Sequence, residues 1–260
     1  MRSACDDILG FTDEPARKFT AEYLLTVNVA KAISDLNGPP GDPYKIFIEK
    51  DAVHFAQDCL RPVRFGHPQK QRRLIRRSRI PPKIVRPGRI DIVVYSDGKN
   101  GYLGPQPVCA IEVKGFNPAR TLVLEDLRRN LQFLRVEGAT GRSELAFTVL
   151  AALHAYRRHR TDTHIERNEE RAKKLHQRWM AQLGNIEDVH TTIETFTVRK
   201  EKVGRVLDEG EYTVLDAEAA HHFVGAIVCF FSKAACASHS HAYSGLQMHQ
   251  RPPQPEPSSV

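Results

Sequence analysis

The chain has 260 residues, 41% hydrophobic and 27% charged, which suffices for the core of one globular domain. Its 38 Lys+Arg against 31 Asp+Glu give a formal net charge of +7, but residues 61–90 hold 11 of those cations and no acid, leaving 27 basic against 31 acidic residues elsewhere. A mildly acidic body with one concentrated basic segment suits a polyanionic partner, and the longest apolar run, Phe223 to Phe231, is about half of the roughly 20 residues a membrane-spanning helix needs.

The N-terminal stretch is acidic and lacks the apolar region of a secretory signal. Residues 15–37 are predicted as a helix, with Glu22, Leu25, Thr26, Val29, Ile33 and Leu36 on one stripe and Asn37-Gly38-Pro39-Pro40 as its stop. Tyr44 to Glu49 is β-rich, and a short helix can follow from Asp51 to Leu60. The basic segment 61–90 contains Pro81-Pro82 and Pro87-Gly88 and reads as a loop or arm with at most one helical turn. Two strands follow, Arg89 to Tyr95 and Val108 to Phe116, joined as a hairpin by a long Gly/Pro/Asp-rich connection.

Leu122 to Val136 is an amphipathic helix with Leu124, Leu127, Leu131 and Leu134 on its apolar side. Leu145 to Leu153 is a near-continuous apolar run, as in a buried central strand. The cations of His154 to His159 and Arg167 to Arg178 mix with Glu166, Glu169 and Glu170 and read as an exposed helix, running from about His164 to Leu183. Val189 to Val198 and the Phe223 to Phe231 run complete the β pattern, and residues 238–260, rich in Ser, His and Pro, are expected to be a disordered tail. The expected fold is one α/β domain over residues 1–237 with a mixed central sheet flanked by helices.

The chemistry is concentrated at Asp91 and at Glu112-Val113-Lys114. Side chains alternate along a strand, so Glu112 and Lys114 share one face. Asp91 lies on the face opposite to Ile90, Ile92 and Val94. In-register pairing of the hairpin brings the two carboxylates and the ammonium together. Carboxylates that close repel and desolvate poorly without a cation between them. Oxygen ligands with open positions suit Mg²⁺ or Mn²⁺, and the neighbouring ammonium of Lys114 would hold a phosphate or favour a hydroxide nucleophile. The plainer reading is a Glu112–Lys114 ion pair on a half-exposed strand. That reading strains at Asp91, an acid inside an apolar strand.

These residues resemble the PD-(D/E)xK nuclease superfamily, which has the restriction-endonuclease-like fold. The Asp stands within Gly88-Arg89-Ile90-Asp91 and the acidic-x-Lys element within Ala110-Ile111-Glu112-Val113-Lys114, without the usual Pro before Asp91. The resemblance covers roughly residues 15–155 and implies an αβββαβ core. It also implies a metal held by Asp91, Glu112 and the Val113 carbonyl, Lys114 assisting the nucleophile, and Glu22 as a helix-borne acid, with Glu49 the other candidate for that place. The implied activity is Mg²⁺- or Mn²⁺-dependent cleavage of DNA in restriction, defence or repair, with a homodimer where both strands are cut.

Other candidates carry less. Glu125 and Asp126 near the start of the second amphipathic helix read as dipole partners, and Arg128, Arg129 and Arg135 as a solvated helix face. His221, His222, Cys229, Cys236, His239 and His241 match no zinc-knuckle spacing. The chain shows no Gly-rich phosphate loop and no Ser or Cys nucleophile motif. Five cysteines without C-x-x-C spacing fit a reducing, cytoplasmic setting. Two functions stand: a nuclease, or a nucleic-acid-binding or assembly module that kept the fold and lost the activity.

In both, Arg72, Arg73, Arg76, Arg77, Arg79 and Lys83 are the expected phosphate-binding residues, delivered beside Asp91. Neutralising Arg72, Arg73, Arg76 and Arg77 together should weaken DNA binding. It should also flatten the dependence on log salt by up to roughly one unit for each phosphate that the arginines no longer neutralise. An unchanged slope in a salt titration would leave the segment as an ordinary solvated charge run.

Overall fold

The computed structural model describes residues 1–11, 18–38, 43–60, 63–65, 74–76, 82–96, 105–159, 165–208 and 213–233. Their elements are α1 (Arg2–Phe11), α2 (Lys18–Ser34), β1 (Tyr44–Asp51), α3 (Ala52–Asp58), β2 (Val63–Phe65), β3 (Leu74–Arg76), β4 (Arg89–Ser96), β5 (Gln106–Phe116), α4 (Arg120–Arg135), β6 (Glu137–Gly138), β7 (Gly141–Arg142), β8 (Phe147–His159), α5 (Ile165–Met180), β9 (Val189–Asp208) and β10 (Thr213–Ser232). Six strands form a mixed sheet in the order β1-β4-β5-β8-β10-β9. Only β5 and β8 run parallel, as they must when a helix, α4, carries the chain back across the sheet.

Helices cover both faces. On one, α3, α4 and α5 pack Phe55, Leu127, Phe133 and Trp179 against Val93, Tyr95, Ala110, Leu150 and Phe230. On the other, α1 and α2 pack Cys5, Leu25 and Ala30 against Ile92, Val94, Ile111, Val113 and Phe223. Alternation along β4 and β5 therefore assigns Asp91, Glu112 and Lys114 to the α4 side, together with Val93, Tyr95 and Ala110. Gly225 is needed where β10 meets β9: a Cβ there would lie 2.8 Å from the Phe196 ring.

The expected mixed sheet flanked by helices is present; α2, β1, β4, β5, α4 and β8 follow one another along the chain, with α3, β2 and β3 inserted between β1 and β4, and β6 and β7 between α4 and β8. Four local expectations change. The N-terminal residues form α1, whose Ala4 and Cys5 are fully buried. The basic segment holds a small antiparallel pair, β2 with β3, in which Val63, Phe65, Leu74 and Ile75 interrupt the cations. Residues 154–159 are strand, because β8 goes on pairing with β10 from His154 opposite Val224 to His159 opposite Ala219. Leu36 lies beyond the end of α2 and is exposed. The tail, with Cys236, His239 and His241, and the hairpin connection 97–104 lie outside the described residues.

Both ends of the basic segment are attached to the body. Leu60 bridges to Ser143, and the Cys59 carbonyl accepts from the Glu144 N–H at 2.8 Å. At the other end, Gln132 of α4 accepts from the Val85 N–H and donates to the Lys83 carbonyl, each at 2.9 Å.

His154 of β8 and His176 of α5 are buried with their Nε2 atoms 2.9 Å apart. One ring must donate and the other accept, so the two cannot both be protonated. Desolvation holds His154 down to about 4 and, with His154 adding to it, His176 down to about 3. The unfolded chain takes up these protons near pH 6.5 and the folded one does not, so the pair's stabilising contribution is complete above pH 6.5 and is lost as the pH falls towards 4. In chemical denaturation, the stability difference between wild type and His176→Gln should therefore shrink over that interval. A difference independent of pH would show the pair to be more exposed than its burial implies.

Candidate functional site

The site forms where the C-terminal half of β5 passes between the start of β4 and two helices. Ile92 pairs with Ile111, so Asp91 stands beside Glu112 and Val113, and its carboxylate accepts from the Val113 N–H at 2.6 Å. Lys114 Nζ lies 3.1 Å from Glu22 Oε1 of α2 and 3.0 Å from Asp126 Oδ2 of α4, and donates to the Val113 carbonyl at 2.9 Å. Arg129 Nη2 donates to Glu112 Oε1 at 2.6 Å and lies 3.3 Å from Asp126 Oδ1. Arg86 closes the outer side by pairing with Asp126 and, at 3.4 Å, with Glu125.

Glu112 is 1% exposed, Asp126 0% and Arg129 5%, so these charges depend on one another rather than on water. Among the described residues, five carboxylates (Glu22, Asp91, Glu112, Glu125 and Asp126) meet three cations (Lys114, Arg129 and Arg86). The imbalance appears in the acids. Desolvation, reinforced by Glu22 and Asp126, raises the Asp91 carboxyl to about 6 against the pull of Lys114 and the Val113 N–H. Glu112 is raised further, by desolvation first and then by Asp126 and Asp91, with Arg129 opposing. For Lys114, burial alone favours the neutral amine, but the carboxylates of Asp126, Asp91 and Glu22 outweigh it and hold the ammonium form.

Glu22, Asp91, Glu112, Val113 and Lys114 are thus brought together, and Glu49 is not. Ile48 and Lys50 pair with Ile92 and Ile90, so Glu49 stands across from Asp91, and an extended backbone would aim both acids to one face. The backbone of Glu49 instead adopts φ 57°, and its carboxylate lies 3.9 Å from Arg89. Glu22 is consequently the additional acid within reach of Lys114. Gly88, just ahead of β4, has φ 126°, a conformation that favours glycine, and its carbonyl accepts from the Ala52 N–H at 2.8 Å. Of the expected phosphate-binding residues, Lys83 is exposed, Arg76 ends β3, and Arg72, Arg73, Arg77 and Arg79 lie outside the described residues.

Sequence reasoning missed Asp126 and Arg129. Asp126 does not serve the start of α4: it lies beyond the first turn, fully buried on the face that carries Val123, Leu127 and Asn130. Arg129 follows one turn later on the same face and is not solvated. Their i, i+3 spacing within the apolar stripe was the available signal. Arg128 is exposed, as expected, and Arg135 pairs with Asp188.

The donors implied for a metal are hard oxygens, and Mg²⁺ requires only one or two carboxylates because it keeps several waters. The shortage of positive charge around Asp91 and Glu112 fits an added cation. Glu112 is paired with Arg129, and the Val113 carbonyl accepts from Lys114. No cluster of three or more His, Cys, Asp or Glu side chains stands ready for a metal among the described residues. The zinc candidates His221 and His222 form no such cluster there either; His222 instead bonds Thr197 at 2.9 Å and Asn168 at 3.1 Å.

No protein-family description, curated protein or solved structure matches this chain. No helix among the described residues is long and apolar enough to cross a membrane.

Breaking the Glu112–Arg129 pair should be costly because it strands a buried charge. Arg129→Met should destabilise the protein by about 3–5 kcal/mol. Adding Glu112→Gln should recover part of that, and a double-mutant cycle in urea should show coupling of about 1 kcal/mol or more. Additive effects would mean that the two charges are solvated separately.

Proposed function

We propose that this chain is a Mg²⁺- or Mn²⁺-dependent nuclease of the restriction-endonuclease-like kind that hydrolyses DNA phosphodiester bonds. The observation that carries the reading is the meeting of Asp91, Glu112 and Lys114, with Glu22, in a patch where carboxylates outnumber cations. The order α2-β1-β4-β5-α4-β8 supports it, since it is the order of the αβββαβ core. The basic segment that runs into β4 supports DNA as the partner.

On this reading Asp91, Glu112 and the Val113 carbonyl hold the ion. A bound Mg²⁺ polarises the phosphate and makes a bound water more acidic. The remaining steps belong to the chain. The Val113 N–H fixes the orientation of the Asp91 carboxylate. Asp126 and Glu22 fix the Lys114 ammonium, which places a positive charge against the scissile phosphate and the attacking oxygen. Arg129, released from Glu112, stays paired with Asp126 and neutralises part of the substrate's charge.

One observation favours the second reading, a binding or assembly module without activity: Arg129 already neutralises Glu112 within the chain. Plasmid nicking separates the two. With Mg²⁺ or Mn²⁺ the protein should nick supercoiled DNA, and Asp91→Ala or Lys114→Ala should lower the rate by about 100-fold or more while DNA binding persists. Nicking that survives both substitutions would overturn the site assignment. DNA binding without cleavage on any DNA or RNA substrate would leave the module.

A further inference from the structure

Beside the buried charges, a cleft of about 440 Å³ opens between the 82–88 segment and α4. Val85, Leu131 and Leu183 give it an aliphatic lining, and Arg86, Arg128, Arg129 and the carboxylate of Glu125 line it as well. One of these lining residues, Arg129, is the partner of the buried Glu112. The outer wall of the cleft is held in place, because the side chain of Gln132 bonds the backbone of both Lys83 and Val85.

Two features of this cleft serve no purpose in the fold. Val85 is 90% exposed, an apolar β-branched side chain presented to water at the cleft mouth. Arg128 is exposed and has no carboxylate partner among the described residues, whereas Arg86 and Arg135 both have one. An apolar slot lined also by guanidinium groups matches a flat base and the phosphate attached to it; guanidinium planes also stack on bases. The volume lies near the lower end of the roughly 300–1,000 Å³ range of small-molecule sites, a size for one nucleotide and not for a duplex. In duplex DNA the bases are stacked out of reach, so a duplex would engage the arginines and leave the aliphatic lining unused.

We propose that this cleft holds one unpaired nucleotide of the DNA strand next to the site, its base against Val85, Leu131 and Leu183 and its phosphate on Arg128. The substrate class is then single-stranded or locally unpaired DNA. The proposal rests on the nuclease reading, and its test is made without divalent ions so that the two can fail separately.

The experiment measures fluorescence anisotropy of a labelled short oligothymidylate and of a labelled blunt-ended duplex against the full chain in EDTA. The oligothymidylate should bind more tightly. Val85→Asp and Arg128→Glu alter exposed side chains and so should retain the fold by circular dichroism; each should weaken oligothymidylate binding roughly fivefold or more. Val85→Asp should affect the duplex less. Arg167→Glu, on the exposed face of α5, should leave the preference for oligothymidylate unchanged. Equal binding of the two DNAs, wild-type affinity in Val85→Asp, or loss of the preference in Arg167→Glu would each overturn the proposal. Cleavage of plasmid alongside any of those results would leave the nuclease standing without the cleft, and a retained preference without cleavage the reverse.

Discussion

Glu112 and Arg129, 2.6 Å apart and almost wholly withdrawn from water, set the terms for everything around them. A buried carboxylate and a buried guanidinium are tolerable only as partners, and their remaining hydrogen-bonding capacity must also be met. That requirement brings Asp126 to Arg129, Lys114 to Asp126, and Glu22 of a helix on the opposite side of the sheet to Lys114. The charges thus tie α2, β5 and α4 to one another at a single point. The parallel β5–β8 crossover makes this possible, because it lays α4 along the face of the sheet on which Glu112 and Lys114 emerge.

The same economy of charge explains how one cluster can accommodate two functional readings. A site in which carboxylates outnumber cations is short of positive charge, and a divalent ion or a proton can each relieve the excess. Arg129 stands where it can serve as counter-charge to Glu112 or, once displaced, to a phosphate. The two readings differ in which cation Glu112 prefers, so residue 129 bears on the choice between them as much as the acids do.

Much of the architecture was legible because it rests on local pattern: the apolar alternation of Arg89 to Tyr95, the leucine stripe of α4 and the Gly/Pro breaks between them. Asp91, Glu112 and Lys114 were legible as a group because strand parity and hairpin pairing are short-range rules. Asp126 and Arg129 were not, because an acid near the start of a helix and an arginine one turn later look the same whether they meet water or a buried lysine. The difference depends on how α4 docks, which is a tertiary fact. Glu49 was an even choice with Glu22 until its left-handed backbone turned it towards Arg89. His154 to His159 looked like surface helix because cations dominate the stretch, whereas pairing with β10 decides its conformation.

The attachments at Leu60–Ser143 and at Gln132 have a consequence for the basic segment between them. A chain fixed at one end explores a volume that grows with its length, but a chain fixed at both is a closed loop whose search is confined around its two anchor points. On the nuclease reading, a phosphate backbone bound by this segment would be held between two fixed points, both attached to the body that carries β4. Gln132 thus acts as a mooring. Without it the second anchor would move to Arg86, still paired with Asp126, and to the Gly88 carbonyl, and the span between the two attachments would grow only slightly.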